Sequence, residues 1–344
     1  SERKGHRPPE TGLGRKNLLL SCRQLTLEMI IGVMGPEGSY SEKAAKLWIQ
    51  KKMLDDAEIR YFADIEDAFQ AVVEGKSDFS VIPIENSIEG SVGVTLDLLL
   101  ESGAEIIGEI VVKIEHCLLS KGEPEKIRVI LSHPQGLAQC RHFLKTNFPE
   151  AELRSTGSTS HAARLACEFE EMAAIASPEA AECYGLKVLL SNIQDRKENY
   201  TRFIVLRASE KNRVQQVSFT AENESDEVKS YSSPEQESER EFYPESKTEP
   251  EHSSLSASKT SIIVYLEKDR PGALYEILGA FAKNSINLTR IESRPSKKEL
   301  GDYYFYIDFE GRASDPVVKE ALKEIENKIH TLKILGSYPA FKKL

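Results

Sequence analysis

The stretch Phe79-Ser80-Val81-Ile82-Pro83-Ile84-Glu85-Asn86-Ser87-Ile88-Glu89-Gly90-Ser91-Val92 runs from an apolar strand directly into a carboxylate, an amide and a hydroxyl. In an open α/β sheet, ligands sit beyond the carboxyl ends of the strands, where helix N-termini attract anions. Glu85, Asn86 and Ser87 are therefore candidates to line a binding site. A polar turn with Ser87 or Ser91 capping a helix over 92–100 accounts for the same residues. The run alone does not separate these readings.

Outward from it, short β-rich runs alternate with helical patterns from residue 30 to 207. Strands are expected over 30–34, 58–62 and 79–84, with helices over 41–54, 65–74 and 92–101. A second series places strands over 128–131, 152–155 and 173–176 and helices over 136–146, 160–171 and 178–184. This alternation predicts a sheet flanked by helices, arranged as two α/β lobes with a cleft between them. The long extended runs 105–114 and 201–207 are expected to be the strands that cross between the lobes.

Residues 209–258 change character: twelve acidic residues, five basic, twelve serines and three prolines, without periodicity. Such a segment buries too little apolar area to offset chain entropy, and it reads as a disordered spacer. From 259 to 344 the order is strand, helix, strand, strand, helix, strand, the βαββαβ pattern of a ferredoxin-like unit. Its first turn holds Asp269 as a candidate helix cap and Gly272 where backbone can approach a ligand. The expected division is 1–28 as an extension, 29–208 as the two-lobed unit, 209–258 as linker and 259–344 as the final domain.

A chain of 344 residues exceeds one ordinary core. Its net charge of −10, with 40% apolar and 29% charged residues, argues against nucleic-acid binding, which depends on clustered Lys and Arg. Five widely spaced cysteines lack metal-ligand spacing, so reduced thiols and no metal are expected. The first 28 residues are basic, but their longest apolar run is 18–20, too short for a secretory signal. Met29 is a candidate natural start. No stretch approaches a membrane span, and a cytoplasmic location is expected.

Three further polar clusters sit at strand ends or helix starts. Gly35-Pro36-Glu37-Gly38-Ser39-Tyr40-Ser41 suits an anion cradle at a helix N-terminus or an ordinary capped βα turn. Ser132-His133-Pro134-Gln135-Gly136-Leu137-Ala138-Gln139-Cys140 places Pro134 in a first helical turn, with Gln135 and Gln139 on one face. Asn199-Tyr200-Thr201-Arg202-Phe203 feeds the last strand of the lobes and offers a proton at Thr201 and a permanent charge at Arg202.

These four runs, in this order, resemble prephenate dehydratase. Gly272-Ala273-Leu274 and Glu292-Ser293-Arg294-Pro295 resemble the phenylalanine-binding ACT domain that accompanies that family. The resemblance covers roughly residues 30–206 and 259–338. It implies a two-lobed, periplasmic-binding-protein-like α/β catalytic domain plus a ferredoxin-like ACT domain. The implied reaction is the decarboxylating dehydration of prephenate to phenylpyruvate in phenylalanine biosynthesis, with no cofactor.

By that similarity Thr201 donates or relays the proton, while Glu85, Asn86, Ser132 and Gln139 complete the catalytic set. Ser39, Ser87, Arg202 and Phe203 are expected to bind substrate, Arg202 on the strength of its charge. The resemblance further implies feedback inhibition by L-phenylalanine held by Gly272, Ala273, Leu274, Glu292, Ser293, Arg294 and Pro295, in a homodimer or homotetramer. Tyr275 stands where the family often has valine, and Ser39 where threonine is usual. The alternatives are arogenate dehydratase, whose substrate carries an amino group in place of the keto oxygen, and a non-enzymatic amino-acid sensor.

Overall fold

The computed structural model describes residues 29–209, 258–266, 271–297 and 302–341. The N-terminal extension, nearly all of the acidic segment and Asp269 lie outside the described residues. Among the described residues no helix is long and apolar enough to cross a membrane.

The first lobe is a six-stranded sheet in the order β2 (Glu58–Phe62), β1 (Ile30–Met34), β3 (Phe79–Asn86), β11 (Tyr200–Ala208) and β5 (Ala104–Lys113), with β4 (Gly90–Ser91) pairing off β3. β1 runs parallel to β2 and β3, whereas β11 is antiparallel to both its neighbours. One face packs on α1 (Tyr40–Lys52) through Ile31, Val33, Trp48, Val81 and Phe203. Ser39 starts this helix by accepting the Glu42 amide, and Met53 ends it in the left-handed conformation. The other face packs on α2 (Ile65–Val73) and α3 (Gly93–Glu101).

The second lobe is a five-stranded sheet, β10 (Lys187–Leu190), β6 (Cys117–Ser120), β9 (Met172–Ala176), β7 (Val129–Ser132) and β8 (Glu152–Ser155). It carries α4 (Pro134–Gln139), α5 (Arg141–Asn147), α6 (Thr159–Ala166) and α7 (Pro178–Tyr184). The long runs expected to cross between lobes pair with each other in the first sheet. The chain passes over just beyond their ends, where the Ile114 amide bonds the Asn199 carbonyl.

The ferredoxin-like unit has the antiparallel order β13 (Leu288–Pro295), β14 (Tyr303–Glu310), β12 (Ser258–Tyr265) and β15 (Thr331–Pro339), with α8 (Ala273–Lys283) and α9 (Pro316–Glu326) on one face. Its other face shares a core with the first lobe: Ile263, Tyr306, Leu335 and Tyr338 pack with Ile82, Leu96, Ile106 and Ile204. At Gly336 the two units approach so closely that a Cβ would lie 2.1 Å from the Ile106 carbonyl oxygen.

Two local expectations are corrected. The single helix over 136–146 is two helices broken at Cys140. β3 continues two residues past Ile84, so Glu85 and Asn86 are strand residues rather than loop. The short strands β6 and β10 carry no turn signal strong enough to mark them in the sequence.

Candidate active site

Strand alternation on β11 sends Thr201 and Phe203 to one face and Arg202 to the other. Thr201 faces a cavity of about 460 Å³ between the lobes, lined on one side by Asn86, Glu89–Val92 and Phe203 and on the other by Gln135, Gly136 and Ser158–Ser160. The register shifts between Arg202 and Phe203, so Thr201 pairs with Asn86 but Phe203 with Pro83. That irregularity lets Pro83 and Asn86, three residues apart, both face the cleft.

Asn86 is the centre of a hydrogen-bond chain. Its Oδ1 accepts from the Ile88 and Glu89 amides at 2.9 and 3.1 Å, which fixes the orientation of the amide. Its Nδ2 donates to Thr201 Oγ1 and to Asn199 Oδ1, both at 2.9 Å. Asn199 Nδ2 then donates to Gln139 Oε1 at 2.9 Å, and His116 Nε2 reaches the same oxygen at 2.8 Å. Since Oε1 only accepts, the His116 proton sits on Nε2. Nδ1 is then a buried acceptor with no partner. Burial pulls the His116 pKa below its ordinary value, against the opposing bond to Gln139, so the ring is neutral near pH 7.

Anion attraction comes from helix ends. The N-termini of α1, at Ser39 to Ser41, and of α6, at Ser158 to Ser160, face the cleft. Ser160 is 1% exposed and its hydroxyl has no partner. The described residues lining the cleft include no Lys or Arg, and their one carboxylate is Glu89, whose Oε1 accepts from Gln139 Nε2 at 3.4 Å.

The Gly35-to-Ser41 run, expected as an anion cradle or an ordinary capped βα turn, also joins the lobes. Gly38 has φ +76° and lies against Ala180 of the other lobe, where a Cβ would come within 2.9 Å of the Ala180 Cα. The Gly38 carbonyl accepts from Ser177 Oγ, the Glu37 carbonyl accepts from the Tyr184 hydroxyl, and Lys43 pairs with Glu179. This turn therefore clasps the two lobes together, while Ser39 caps α1 and lines the cleft.

Several expected site residues lie elsewhere. Arg202 points away from the cleft, and its guanidinium meets Asp308 at 2.8 Å, Glu85 at 3.2 Å and Glu109 at 3.3 Å. Burial works against its charge, yet Asp308, Tyr338, Glu109 and Glu85 together raise its pKa. Glu85 lies beside Arg202 and Arg290 instead of lining the cleft. Ser87 is exposed and ties β3 to β11 by accepting the Tyr200 amide. Ser132 is buried beneath Gly136 and donates to the Ile175 carbonyl, so it props the α4 N-terminus from below. Sequence reasoning placed Asn199 in a polar cluster without giving it a role, and it missed His116 and Ser158–Ser160, of which only the hydroxyl run at the start of α6 carried a visible signal.

The prephenate dehydratase family model matches residues 31–211, and the ACT domain model matches 260–327. This chain belongs to the prephenate dehydratase family. The prephenate dehydratase of Methanocaldococcus jannaschii is 40% identical over 89% of this chain and 96% of the relative. A crystal structure of prephenate dehydratase in complex with L-Phe from Arthrobacter aurescens is 31% identical, with a TM-score of 0.70 over 91% of this chain and 90% of that one. At the same TM-score, 26% identity and coverage of 91% and 98% stands GqqA, described as a novel type of quorum-quenching acylase.

Within this dehydratase the ACT residues expected to hold an effector are placed as follows. Gly272, at φ +87°, precedes α8, whose first residue Ala273 is buried; Leu274 is half-buried and Tyr275 exposed. On β13, Ser293 and Pro295 are exposed, while Glu292 and Arg294 turn toward the catalytic unit. Glu292 accepts from Ser91 Oγ, and Arg294 pairs with Asp97 at 3.0 Å. Arg294, expected to hold the effector, pairs here with a side chain of the same protein.

Proposed function

We propose that this enzyme converts prephenate to phenylpyruvate, CO2 and water, with one proton taken up by the departing hydroxyl. The observation that carries the reading is the Asn86–Thr201 contact at the cleft wall. Because Thr201 Oγ1 accepts from Asn86, its own proton is free to point at a leaving hydroxyl, and the Asn86 N–H offsets negative charge developing on Oγ1. Gln139, Asn199 and His116 hold Asn86 and Thr201 in register. Loss of the ring carboxylate as CO2 then aromatises the ring, so the protein has chiefly to orient a dianion and protonate one oxygen. The N-termini of α1 and α6 and the Ser160 hydroxyl supply donors for the two carboxylates.

L-phenylalanine is the proposed effector, acting at the ACT domain of a cytoplasmic homo-oligomer assembled through those domains. The exposed outer face of β13, with Ile291, Ser293 and Pro295, supports a further contact there.

A second reading is favoured by Glu89. The one carboxylate among the described lining residues, which include no Lys or Arg, is suited to an ammonium, which arogenate carries and prephenate lacks. Phenylpyruvate formed from prephenate, read by ultraviolet absorbance with and without added phenylalanine, and phenylalanine formed from arogenate, read by chromatography, test both. Prephenate turnover suppressed by phenylalanine supports the first reading. A strong preference for arogenate supports the second, and turnover of neither by folded protein removes both.

A further inference from the structure

The wall of the cleft from Glu89 to Val92 is short and two of its residues, Glu89 and Gly90, are exposed. Only two residues of it form β4, paired with the end of β3. A wall this thin needs support from behind, and the support comes from β13 of the ACT domain. Its half-buried positions, Arg290, Glu292 and Arg294, alternate with exposed ones and face the catalytic unit.

Ser91 is held from both sides. Its hydroxyl donates to Glu292 Oε2 at 2.8 Å and accepts from Arg290 Nη2 at 2.6 Å. Arg290 in turn lies 3.7 Å from Glu85 Oε2, beside the Ser91 register position on β3. One turn further on, Arg294 and Lys297 both pair with Asp97 of α3, the helix that the wall leads into. The pairing holds the Asp97 carboxyl below its ordinary range: burial would raise it, but the bonds to Lys297 and Arg294 prevail.

We propose that Arg290 and Glu292 are positioning residues for the reaction, acting through the Ser91 hydroxyl on the Gly90–Val92 wall of the substrate cleft. The ACT domain is then part of the construction of the cleft as well as a neighbour of it. An effector that recruits Glu292 or Arg294 has to take them from Ser91 or Asp97, which loosens the wall; this consequence rests on the phenylalanine-regulated dehydratase reading, whereas the positioning role does not.

The test uses the full chain with Glu292→Ala, Glu292→Gln, Ser91→Ala and the Ser91→Ala/Glu292→Ala pair, and Thr289→Ala on the exposed face of β13 as control. Glu292→Ala is expected to raise KM about threefold to tenfold with kcat within about twofold, since a loosened wall weakens substrate binding without touching the proton donor. Glu292→Gln retains an acceptor for Ser91 and restores KM. In the Ser91→Ala background Glu292→Ala adds nothing further, because the effect travels through the missing hydroxyl. Amide exchange at Val92, whose N–H bonds the Ile84 carbonyl at 2.9 Å, is measured without substrate and is expected to quicken about tenfold in Glu292→Ala and in Ser91→Ala.

Wild-type KM and exchange in a folded Glu292→Ala protein, or additive effects in the pair, overturn the proposal. If Glu292→Ala does not fold, exchange in Ser91→Ala decides in the same way. If the wild type turns over neither prephenate nor arogenate, the function reading fails, and the exchange arm still decides the positioning role.

Discussion

Asn86 Nδ2 and Thr201 Oγ1 lie 2.9 Å apart across the β3–β11 pairing, with the amide as donor. Two backbone amides fix Asn86 from its other side, so the direction of the Thr201 proton follows from strand register rather than from chance rotation of a hydroxyl. The shift between Arg202 and Phe203 then brings Pro83 as well as Asn86 to the cleft wall.

Thr201→Ala is expected to lower kcat roughly 10²- to 10⁴-fold, the range for loss of a positioned proton donor. Thr201→Ser keeps the hydroxyl and retains most activity. Steady-state turnover of prephenate checks both, and near-normal kcat in folded Thr201→Ala removes Thr201 from the role.

The sheets were legible because hydrophobic alternation and turn residues mark them: β2, β8 and α7 fall where periodicity places them. The polar clusters marked the cleft because sites cluster at strand ends. What the sequence could not carry was the face on which each polar residue emerges. Arg202 follows Thr201 directly, and alternation turns it to the opposite side of β11, toward Asp308 more than a hundred residues away. His116 and Ser160 were hidden for another reason: His116 is a lone histidine between Glu115 and Cys117, Ser160 sits in a Ser158-Thr159-Ser160 run that reads as an ordinary helix start, and only folding leaves the acceptor of one and the hydroxyl of the other unpartnered in a cavity.

Ser160→Ala should leave stability unchanged, since the hydroxyl it removes bonds to nothing within the protein. If that hydroxyl receives a substrate carboxylate, the loss of one bond to a charged group raises KM about 10- to 100-fold. Thermal unfolding beside KM separates the two: a fall in Tm with unchanged KM would make Ser160 a packing residue.

Arg202 gives the opposite pattern. Arg202→Met leaves Asp308 and Glu109 buried with less compensation, and breaking such a pair costs about 3 to 5 kcal/mol. Lys259 continues to hold Glu109, and Ser261 to bond Asp308, which places the expected cost at the lower end of that range. Chemical denaturation should therefore show a large loss, while KM for prephenate in the folded variant stays within about threefold. A KM rise well beyond that, with stability intact, would return Arg202 to substrate binding.

His116 makes stability depend on pH. Burial lowers its pKa in the folded protein, whereas in the unfolded chain it titrates near 6.5. The unfolded chain thus takes up the proton first as pH falls, so the stabilising contribution is complete above about pH 6.5 and diminishes below it, toward the lowered folded value. Protonation of Nδ1 would place a charge at a buried site that offers it no acceptor. His116→Gln removes the titration and can still donate to Gln139 Oε1. Unfolding midpoints from pH 7.5 to 5 should then fall less steeply in His116→Gln than in wild type. Parallel curves would mean that His116 is not the group whose protonation destabilises the fold in that window.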